Sequence, residues 1–306
     1  MLLLAFILTF VDLKLTKLLR SFINRTIPIT RIKIFIAKIL YSGVIIFYGK
    51  KKRLIKRNEI NFEVDLSEGI DLSLFLFGNY QRHVTRSKLL YLSNDAIIID
   101  VGANFGVMTL QFALASSRGK VYSFEPALPI LEKLKKNLTL NPGLASRITV
   151  FNSFVSAKSQ KDPGIKAYAS WKLDSTANTI DEHPDHLGTQ LPTDGVPAIS
   201  LDDFCLNEQI SKLDFIKIDT DGHEYEVLLG AKVCIKKYRP QLIFEISIYA
   251  MIEKNIDFSF YSNYFNELNY SLHNSANGKL ITMKNYRNHI PRKGTIDIIA
   301  IPAAVK

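Results

Sequence analysis

The residues of this chain that could hold a nucleotide lie in one short strand–turn–helix–strand pattern. An apolar run, Ile97–Ile99, ends at Asp100, and a glycine-containing turn continues to Gly106. A second apolar stretch ends at Glu125, nineteen residues beyond Gly106. In nucleotide-binding α/β folds the turn after the first strand holds the ligand, and a carboxylate after the second strand accepts hydrogen bonds from ribose hydroxyls. The spacing therefore predicts a nucleoside site with Glu125 on the ribose.

The charge of the turn indicates which nucleoside ligand it binds. Dinucleotide folds usually carry G-x-G-x-x-G here and cradle a pyrophosphate. In this chain Asn104 replaces the middle glycine and Asp100 stands at the strand tip, where a carboxylate repels a pyrophosphate and suits a cation. S-adenosyl-L-methionine carries a sulfonium and an ammonium and no phosphate. We predict it as the cofactor, with its methionine part held by Asp100 and the backbone of Gly102, Ala103, Asn104 and Gly106.

A second polar cluster follows the predicted strand 214–219 and contains Asp219, Asp221, His223 and Glu224. Methyl transfer from a sulfonium requires an aligned acceptor and exclusion of water, and an alcohol acceptor also needs a base. We predict Asp219 and Glu224 as structural and electrostatic members of the site. His223 is the candidate base because an unperturbed imidazole titrates near neutral pH. Glu224 could instead cap the next helix. Mg²⁺ is a further alternative, but the spacing is not specific and we predict no metal.

Three further residues are placed by the ends of predicted strands. Ligands of parallel α/β sheets bind beyond the carboxyl ends of the strands. Ser153 and Phe154 follow the third strand and are positioned to flank the adenine. Glu245, near the end of the fifth strand, is predicted to lie on the acceptor side.

Several motifs of the chain resemble the FkbM-type methyltransferases in order and spacing, over roughly residues 62–250. They are DVGANFG from Asp100, FEP from Phe124, LTLN from Leu138, SLDDF from Ser200, DFIKIDTDGHE from Asp214 and RPQLIFE from Arg239. The resemblance implies a class I S-adenosylmethionine-dependent methyltransferase. Members of this family commonly methylate oxygen on sugars, polyketides or other small molecules.

Alternating strands and helices must position these residues. Strands are predicted at 96–101, 120–125, 147–153, 214–219 and 240–246, and helices at 105–117, 127–140, 222–237 and 257–268. This alternation predicts a doubly wound, mostly parallel sheet of the Rossmann-like type with helices on both faces. A strand at 60–66 and a helical region at 70–92 precede it. The stretch Gly294–Ile301 is predicted as the last strand, antiparallel by the resemblance.

A long insertion at 157–198 separates the third and fourth core strands. Loops of this length are usually functional or disordered. The segment contains the only tryptophan, Trp171, together with Tyr168, His183 and His186. We predict a lid over the acceptor pocket, and a surface insertion without catalytic contact is the alternative.

The charge of the chain is concentrated at its N-terminus. Of a net charge of +10, residues 1–57 contribute +12, from thirteen Lys and Arg against Asp12 alone, so the remaining 249 residues carry −2. A nearly neutral catalytic part argues against nucleic acid as the substrate. The two cysteines, Cys205 and Cys234, show no metal or redox spacing. They are predicted as small buried side chains in a cytoplasmic protein.

The N-terminal segment is both basic and apolar. Residues 1–57 are predicted to be a helical segment in front of a methyltransferase domain at 58–306. The stretch 13–24 places its leucines on one side of a helix and its cations elsewhere, which suits an anionic membrane surface. Two alternatives remain: helices packed on the catalytic domain, or a transmembrane span from about Ile32 to Tyr48.

The leading hypothesis is an O-methyltransferase for a glycan or small-molecule hydroxyl. The alternative enzyme is an NAD-dependent oxidoreductase, which Asp100 and Asn104 disfavour. The non-enzymatic alternative is a silent methyltransferase-like scaffold at a membrane. The sequence leaves the acceptor and the oligomeric state open.

Overall fold

The structure is a computed structural model that describes residues 30–49, 51–169, 172–174, 188–292 and 294–304. Its strands, in chain order, are β1 (Lys52–Arg57), β2 (Ile60–Asp65), β3 (Ile97–Val101), β4 (Lys120–Phe124), β5 (Ile148–Phe151), β6 (Phe154–Val155), β7 (Ala167–Tyr168), β8 (Gln190–Leu191), β9 (Ala198–Ile199), β10 (Phe215–Ile218), β11 (Gln241–Ser247), β12 (Tyr270–Asn274), β13 (Leu280–Ile281) and β14 (Thr295–Pro302). Its helices are α1 (Thr30–Tyr48), α2 (Gly69–Phe77), α3 (Arg82–Thr85), α4 (Val107–Ala115), α5 (Leu128–Thr139), α6 (Pro142–Ala145), α7 (Leu201–Asn207), α8 (Glu224–Leu229), α9 (Lys232–Tyr238), α10 (Ile248–Glu253) and α11 (Phe258–Glu267).

Eight strands form the central sheet, in the order β5-β4-β3-β10-β11-β14-β12-β13. The first five are parallel, and β14, β12 and β13 are antiparallel to their neighbours. This topology confirms the predicted doubly wound class I methyltransferase fold. From β3 the chain runs outward through β4 and β5 and then returns to β10 on the other side of β3. The strand order therefore reverses between β3 and β10, and a crevice at such a switch point is where ligands of open α/β sheets bind.

The central strands are mostly apolar because helices cover both faces of the sheet. Ile98 and Ile99 point to opposite faces and are both fully buried. On one face, Phe204 of α7 makes edge-to-face contacts with Phe124 and Phe151. Such aromatic contacts fix the helices over the strands whose ends form the crevice.

Two predicted elements differ from the structure. The predicted helix 222–237 is divided into α8 and α9 at Gly230, where an added Cβ would lie 2.1 Å from the carbonyl oxygen of Ser156. Residues 52–57, assigned to the N-terminal helical segment, instead form β1, which pairs antiparallel with β2. Their alternating exposed and half-buried side chains follow from this pairing.

The hairpin of β1 and β2 is held on the catalytic core by side chains. The side of β2 that faces away from β1 offers three backbone N–H groups. They are donated by Asn61 to Asn141 Oδ1 (2.9 Å), by Glu63 to Asn137 Oδ1 (2.8 Å) and by Asp65 to Asp71 Oδ2 (2.5 Å). The LTLN motif found in the sequence therefore ends in a residue, Asn141, that docks this hairpin.

The helix α1 precedes the hairpin and packs one side against α2. None of the helices in the described ranges is long and apolar enough to cross a membrane. The predicted amphipathic stretch 13–24 lies outside the described residues.

Candidate active site

A cleft opens at the carboxyl ends of β3, β4 and β10, where the strand order reverses. It contains about 660 Å³ of space, its open mouth included. Its wall is formed by Val101, Gly102, Asn104, Phe124, Glu125, Pro126, Ile130, Ser153, Phe154, Val155, Ile165, Lys166, Ala167, Tyr168, Asp219, Thr220, Asp221 and His223. One end of the cleft is largely apolar and the other carries carboxylates.

The turn after β3 lies in close contact with the end of β10. Gly102 has a φ of +73°, and an added Cβ would lie 1.8 Å from the carbonyl oxygen of Asp219. Glycine is therefore required by the approach of two backbones. Gly106, with a φ of +91°, starts α4. Gly106 is the N-cap of α4, so the first N–H groups of that helix lie next to this turn.

Glu125 is the predicted ribose ligand, and the structure places its carboxylate on the cleft wall. It accepts hydrogen bonds from the backbone N–H of Asn104 and of Ala127, each at 2.9 Å. A carboxylate has about four acceptor positions, so positions remain for two hydroxyl donors. Burial raises the pKa of Glu125 to about 7, against the two N–H donors, which lower it. The free acceptor positions of Glu125 fit the two hydroxyl donors of a ribose.

The raised pKa of Glu125 predicts a pH dependence of nucleoside binding. Ribose hydroxyls donate to the ionised carboxylate, so the affinity for S-adenosylhomocysteine is expected to fall about 10-fold per pH unit below pH 7 and to level off above it. Calorimetric titration between pH 5.5 and 8.5 measures this. A Glu125→Gln protein cannot titrate at this position, and an equally steep profile in that variant would contradict the assignment.

Asp100, predicted to contact the cofactor, lies behind the cleft wall and is fully buried. Its Oδ1 lies 3.2 Å from Nζ of Lys217, and its Oδ2 accepts from Thr109 Oγ1 at 2.6 Å. The expectation of direct contact is therefore corrected. Asp100 is linked to the cleft wall through Lys217, whose Nζ also donates to the carbonyl of Gly102.

Lys217 is the central residue that the sequence analysis missed. From the middle of the buried strand β10, its Nζ donates to the carbonyl of Gly102 at 2.7 Å and lies 3.6 Å from Asp219 Oδ2. Burial lowers the pKa of Lys217, but the charges of Asp100 and Asp219 outweigh that effect and raise it to about 12. The cation thus ties the glycine turn of β3 to the end of β10. Lysine is almost never fully buried without a charged partner, so Lys217 in an otherwise apolar strand was the sequence signal for its pairing with a carboxylate.

Two carboxylates stand at the acceptor end of the cleft. Asp219 Oδ2 accepts from Gln81 Nε2 at 3.2 Å, in addition to its contact with Lys217. Asp221 is open to the cleft, and no side chain among the described residues hydrogen bonds to it. The side chain of Asp221 is exposed in the cleft; desolvation of its carboxyl group, and then the charges of Asp219 and Glu224, raise its pKa.

Glu224 does not line the cleft. It is buried at the start of α8 and accepts from Thr220 N (2.8 Å), Thr220 Oγ1 (3.0 Å) and Gly222 N (3.3 Å). Glu224 thus has the local role at the start of the helix that the sequence analysis gave as its alternative. Glu224 shapes the loop that carries Asp221.

His223 lies on the cleft wall with a cation beside it. Its Nδ1 is 3.1 Å from Nζ of Lys254, which also donates to Glu226 Oε1 at 2.6 Å. An ammonium donates and cannot accept, so a neutral His223 ring bonded to it carries its proton on Nε2. In that tautomer neither ring nitrogen is free to accept a proton, which weakens His223 as a base.

Of the remaining predicted residues, Ser153 and Phe154 lie on the cleft wall, whereas Ala103 does not. Ser153 and Phe154 line the apolar end of the cleft, as expected for an adenine site. The hydroxyl of Ser153 donates within the protein, to the carbonyls of Phe154 and Pro197. Ala103 is buried behind the turn.

The described part of the insertion reaches the cleft. Residues 165–168, which include β7, form part of its wall, and β7 pairs with β8. Trp171, His183 and His186 lie outside the described residues. The lid therefore stays a prediction, with the wall contact of Tyr168 in its favour.

Beyond Asp219, a further polar group lies near the start of β14. Glu245 of β11 stands opposite Asp297 in the antiparallel register, and Asp297 contacts His83 of α3. Burial and the charges of Asp219 and Asp297 raise the pKa of Glu245. Glu245 is not on the cleft wall. It interacts with the cleft residue Asp219 by charge. No three His, Cys, Asp or Glu side chains within the described ranges are grouped to hold a metal ion.

The chain is similar to several methyltransferases. It is 27% identical over 157 residues to the hexuronic acid methyltransferase AglP of Haloferax volcanii, covering 49% of this chain and 56% of that protein. It is 24% identical over 155 residues to the 2-O-methyltransferase NoeI of Sinorhizobium fredii, covering 47% and 61%. The aligned part thus spans little more than half the length of these relatives.

A solved structure and a family profile are also similar. The methyltransferase FkbM from Methylobacillus flagellatus KT superposes with a TM-score of 0.46 at 21% identity, covering 72% of this chain and 46% of that chain. The profile of the methyltransferase FkbM domain matches residues 100–272. That range covers more than half of the 306 residues and includes the end of β3, all of β10 and the cleft residues Glu125 and Asp219. The chain belongs to the FkbM methyltransferase family.

Proposed function

We propose that this protein is an S-adenosylmethionine-dependent O-methyltransferase acting on a hydroxyl of a glycan or small molecule. The observation that carries the proposal is the division of one cleft. Glu125 retains acceptor positions at the nucleoside end, while Asp219 and Asp221 stand at the other end. The names of AglP and NoeI, both methyltransferases and one specified as acting on oxygen, support it at low identity.

The residues at the nucleoside end fit the cofactor. S-adenosylmethionine, when bound, supplies an activated methyl group. Glu125 would accept from the ribose hydroxyls, and the apolar side chains of Phe154 and Ile130 would enclose the base. The backbone of Gly102 and Asn104, held by Lys217 and Glu125, would line the methionine part.

At the acceptor end, Asp221 is the carboxylate best suited to take a proton. Asp221 lies exposed on the cleft wall, where an acceptor hydroxyl can reach it, and its pKa is raised toward the range in which a general base works best. Asp219 is already engaged by Gln81 and Lys217. We therefore assign Asp219 to hold the acceptor end in place and Asp221 to accept the hydroxyl proton.

The first test is calorimetric titration of the full chain with S-adenosylhomocysteine and, separately, with NAD. The full chain is required because β1 pairs with β2 across residues 57 and 58. Binding of S-adenosylhomocysteine alone supports the proposal and leads to a screen of hydroxylated acceptors with radiolabelled methyl donor. Binding of NAD alone would favour an oxidoreductase, and a folded protein that binds neither would favour a scaffold.

With an acceptor from that screen, Asp221→Asn is expected to lower kcat by about 10²–10⁴-fold, because general-base catalysis contributes this much. The affinity for S-adenosylhomocysteine should stay within about 3-fold, since Asp221 lies at the other end of the cleft. The exposed Glu208→Gln is the matched control. A kcat loss no larger in Asp221→Asn than in the control would exclude Asp221 as the base.

A further inference from the structure

Gln81 occupies the N-cap position of α3, where both its residue type and its backbone conformation are unusual. Its backbone is left-handed, with φ +41° and ψ +49°, and its side chain makes no capping hydrogen bond. N-cap residues normally have an extended backbone, and Ser, Thr, Asp and Asn are preferred because their side chains bond the first N–H groups of the helix. A positive φ is also uncommon for residues other than glycine, asparagine and aspartate. The local structure of α3 therefore does not account for a glutamine at this position.

The side chain of Gln81 contacts the acceptor end of the cleft instead. Its Nε2 donates to Oδ2 of Asp219 at 3.2 Å, which is the only hydrogen bond of this side chain within the described ranges. Its Oε1 is fully covered and has no partner among those residues. A buried acceptor without a partner and a left-handed backbone are both unfavourable, and strained conformations of this kind cluster at functional sites. The contact with Asp219 is thus the feature that a glutamine at this position provides.

The residues around Gln81 hold the segment that carries it. Tyr80 packs against two hydrophobic clusters, one around β2 and α2 and one on a face of the central sheet. The ring of His83 contacts Asp297 of β14, and Val84 is buried. The amide of Gln81 is therefore presented to Asp219 by a segment that is packed on the core from both sides of the residue.

Two donors of the protein meet on one oxygen of Asp219. In addition to the Nε2 of Gln81, the Nζ of Lys217 lies 3.6 Å from the same Oδ2. The other oxygen, Oδ1, has no hydrogen-bond donor among the described residues. The Asp219 side chain is 21% exposed and lines the cleft. Because the protein engages Oδ2, Oδ1 is left as the acceptor for a group in the cleft.

We propose that Gln81 is a positioning residue for the acceptor: it orients Asp219 so that Oδ1 accepts a hydrogen bond from a hydroxyl next to the one that is methylated. This inference rests on the proposed function of the cleft. Asp221, two residues further along the same wall, takes the proton of the reacting hydroxyl, so the two carboxylates bind two hydroxyls of one molecule. The acceptor class is then a polyol with neighbouring hydroxyls, such as a sugar, and not an isolated alcohol or a phenol.

The test measures methyl transfer by the full chain from radiolabelled S-adenosylmethionine to the methyl pyranosides of glucose, galactose and mannose and to their monodeoxy analogues. In the wild type, removing the hydroxyl next to the methylated one should lower kcat/KM by about 10–100-fold, the range for a hydrogen bond to a charged group. In Gln81→Met, which keeps the side-chain length without the amide, this loss should shrink to about 3-fold or less, because Asp219 is no longer held in place.

A second variant separates this role from a structural one. Gln81→Asn keeps an amide and suits a left-handed backbone, but its side chain is one methylene too short to reach Asp219. Its melting temperature should equal or exceed that of the wild type, while its discrimination against the deoxy acceptor should fall as in Gln81→Met. A glutamine with a structural role alone would leave that discrimination unchanged in Gln81→Asn.

Gln209 offers a matched control because it is exposed and also left-handed, with a φ of +50°. Gln209→Met and Gln209→Asn should discriminate between the parent and deoxy acceptors as the wild type does.

Calorimetric titration with S-adenosylhomocysteine distinguishes failure of this inference from failure of the proposed function. The Gln81 variants should bind it within about 3-fold of the wild type, since Gln81 lies at the other end of the cleft. A folded wild type that does not bind it refutes the proposed function and this inference together. A wild type that binds it but methylates none of the pyranosides overturns this inference alone, as do Gln81 variants that keep the wild-type discrimination.

Discussion

Replacing Lys217 by Met is expected to lower the free energy of unfolding by about 3–5 kcal/mol, the usual cost of removing one partner from a buried ion pair. The change leaves Asp100, fully buried, with Thr109 as its only hydrogen-bond donor among the described residues. It also removes the donor to the carbonyl of Gly102. Urea unfolding followed by circular dichroism measures the loss.

A second substitution separates the charge effect from packing. In Lys217→Met/Asp100→Asn neither of the two charges remains, so about half or more of the lost stability should return. Lys212→Met, at a lysine whose side chain is 45% exposed, is the matched control and should change stability by about 1 kcal/mol or less. A double variant less stable than Lys217→Met would show that Asp100 and Lys217 do not act as a pair.

Replacing Glu125 by Ala is expected to weaken S-adenosylhomocysteine binding by about 10²–10⁴-fold. Two hydrogen bonds from ribose hydroxyls to a carboxylate are each worth about 1.5–3 kcal/mol, and about 1.4 kcal/mol corresponds to a factor of 10 in affinity. Calorimetric titration at pH 8, where the carboxylate is largely ionised, measures the full effect.

Glu125→Ala also removes the acceptor for the N–H groups of Asn104 and Ala127. Glu125→Gln keeps one carbonyl oxygen as an acceptor, so its affinity should lie between those of the wild type and the alanine variant. The exposed Glu132→Gln should bind like the wild type. Equal affinities of Glu125→Ala and the wild type would place the ribose elsewhere.

The positions of the core strands along the chain were predictable because each is a short apolar run ending in a polar residue. Strand–helix alternation with right-handed crossovers predicts a parallel sheet with helices on both faces, but it does not tell between which strands the order reverses. Glu125 and Asp219 were identified for the same reason, since both stand directly at strand ends. The break at Gly230 was not predictable, because it depends on contact with Ser156 far away in sequence.

Side-chain partners were harder to predict than positions. Asp100 carries the acidic signature of the turn, but which group it faces depends on Lys217, 117 residues later in the chain and on the neighbouring strand. Gln81 reaches Asp219 from the segment before β3, where no pattern marks it. The resemblance named the family. It did not distinguish residues that line the cleft from residues, such as Glu224, that shape it from behind.

The side-chain bonds along β2 also bear on the solubility of the protein. A strand edge with unpaired N–H groups is a template on which another chain can add a strand and start aggregation. Here Asn141, Asn137 and Asp71 occupy the three N–H groups in place of a neighbouring strand. These side chains leave none of the three N–H groups free to pair with a further strand. This edge of the hairpin is thereby protected against pairing with a second copy of the chain.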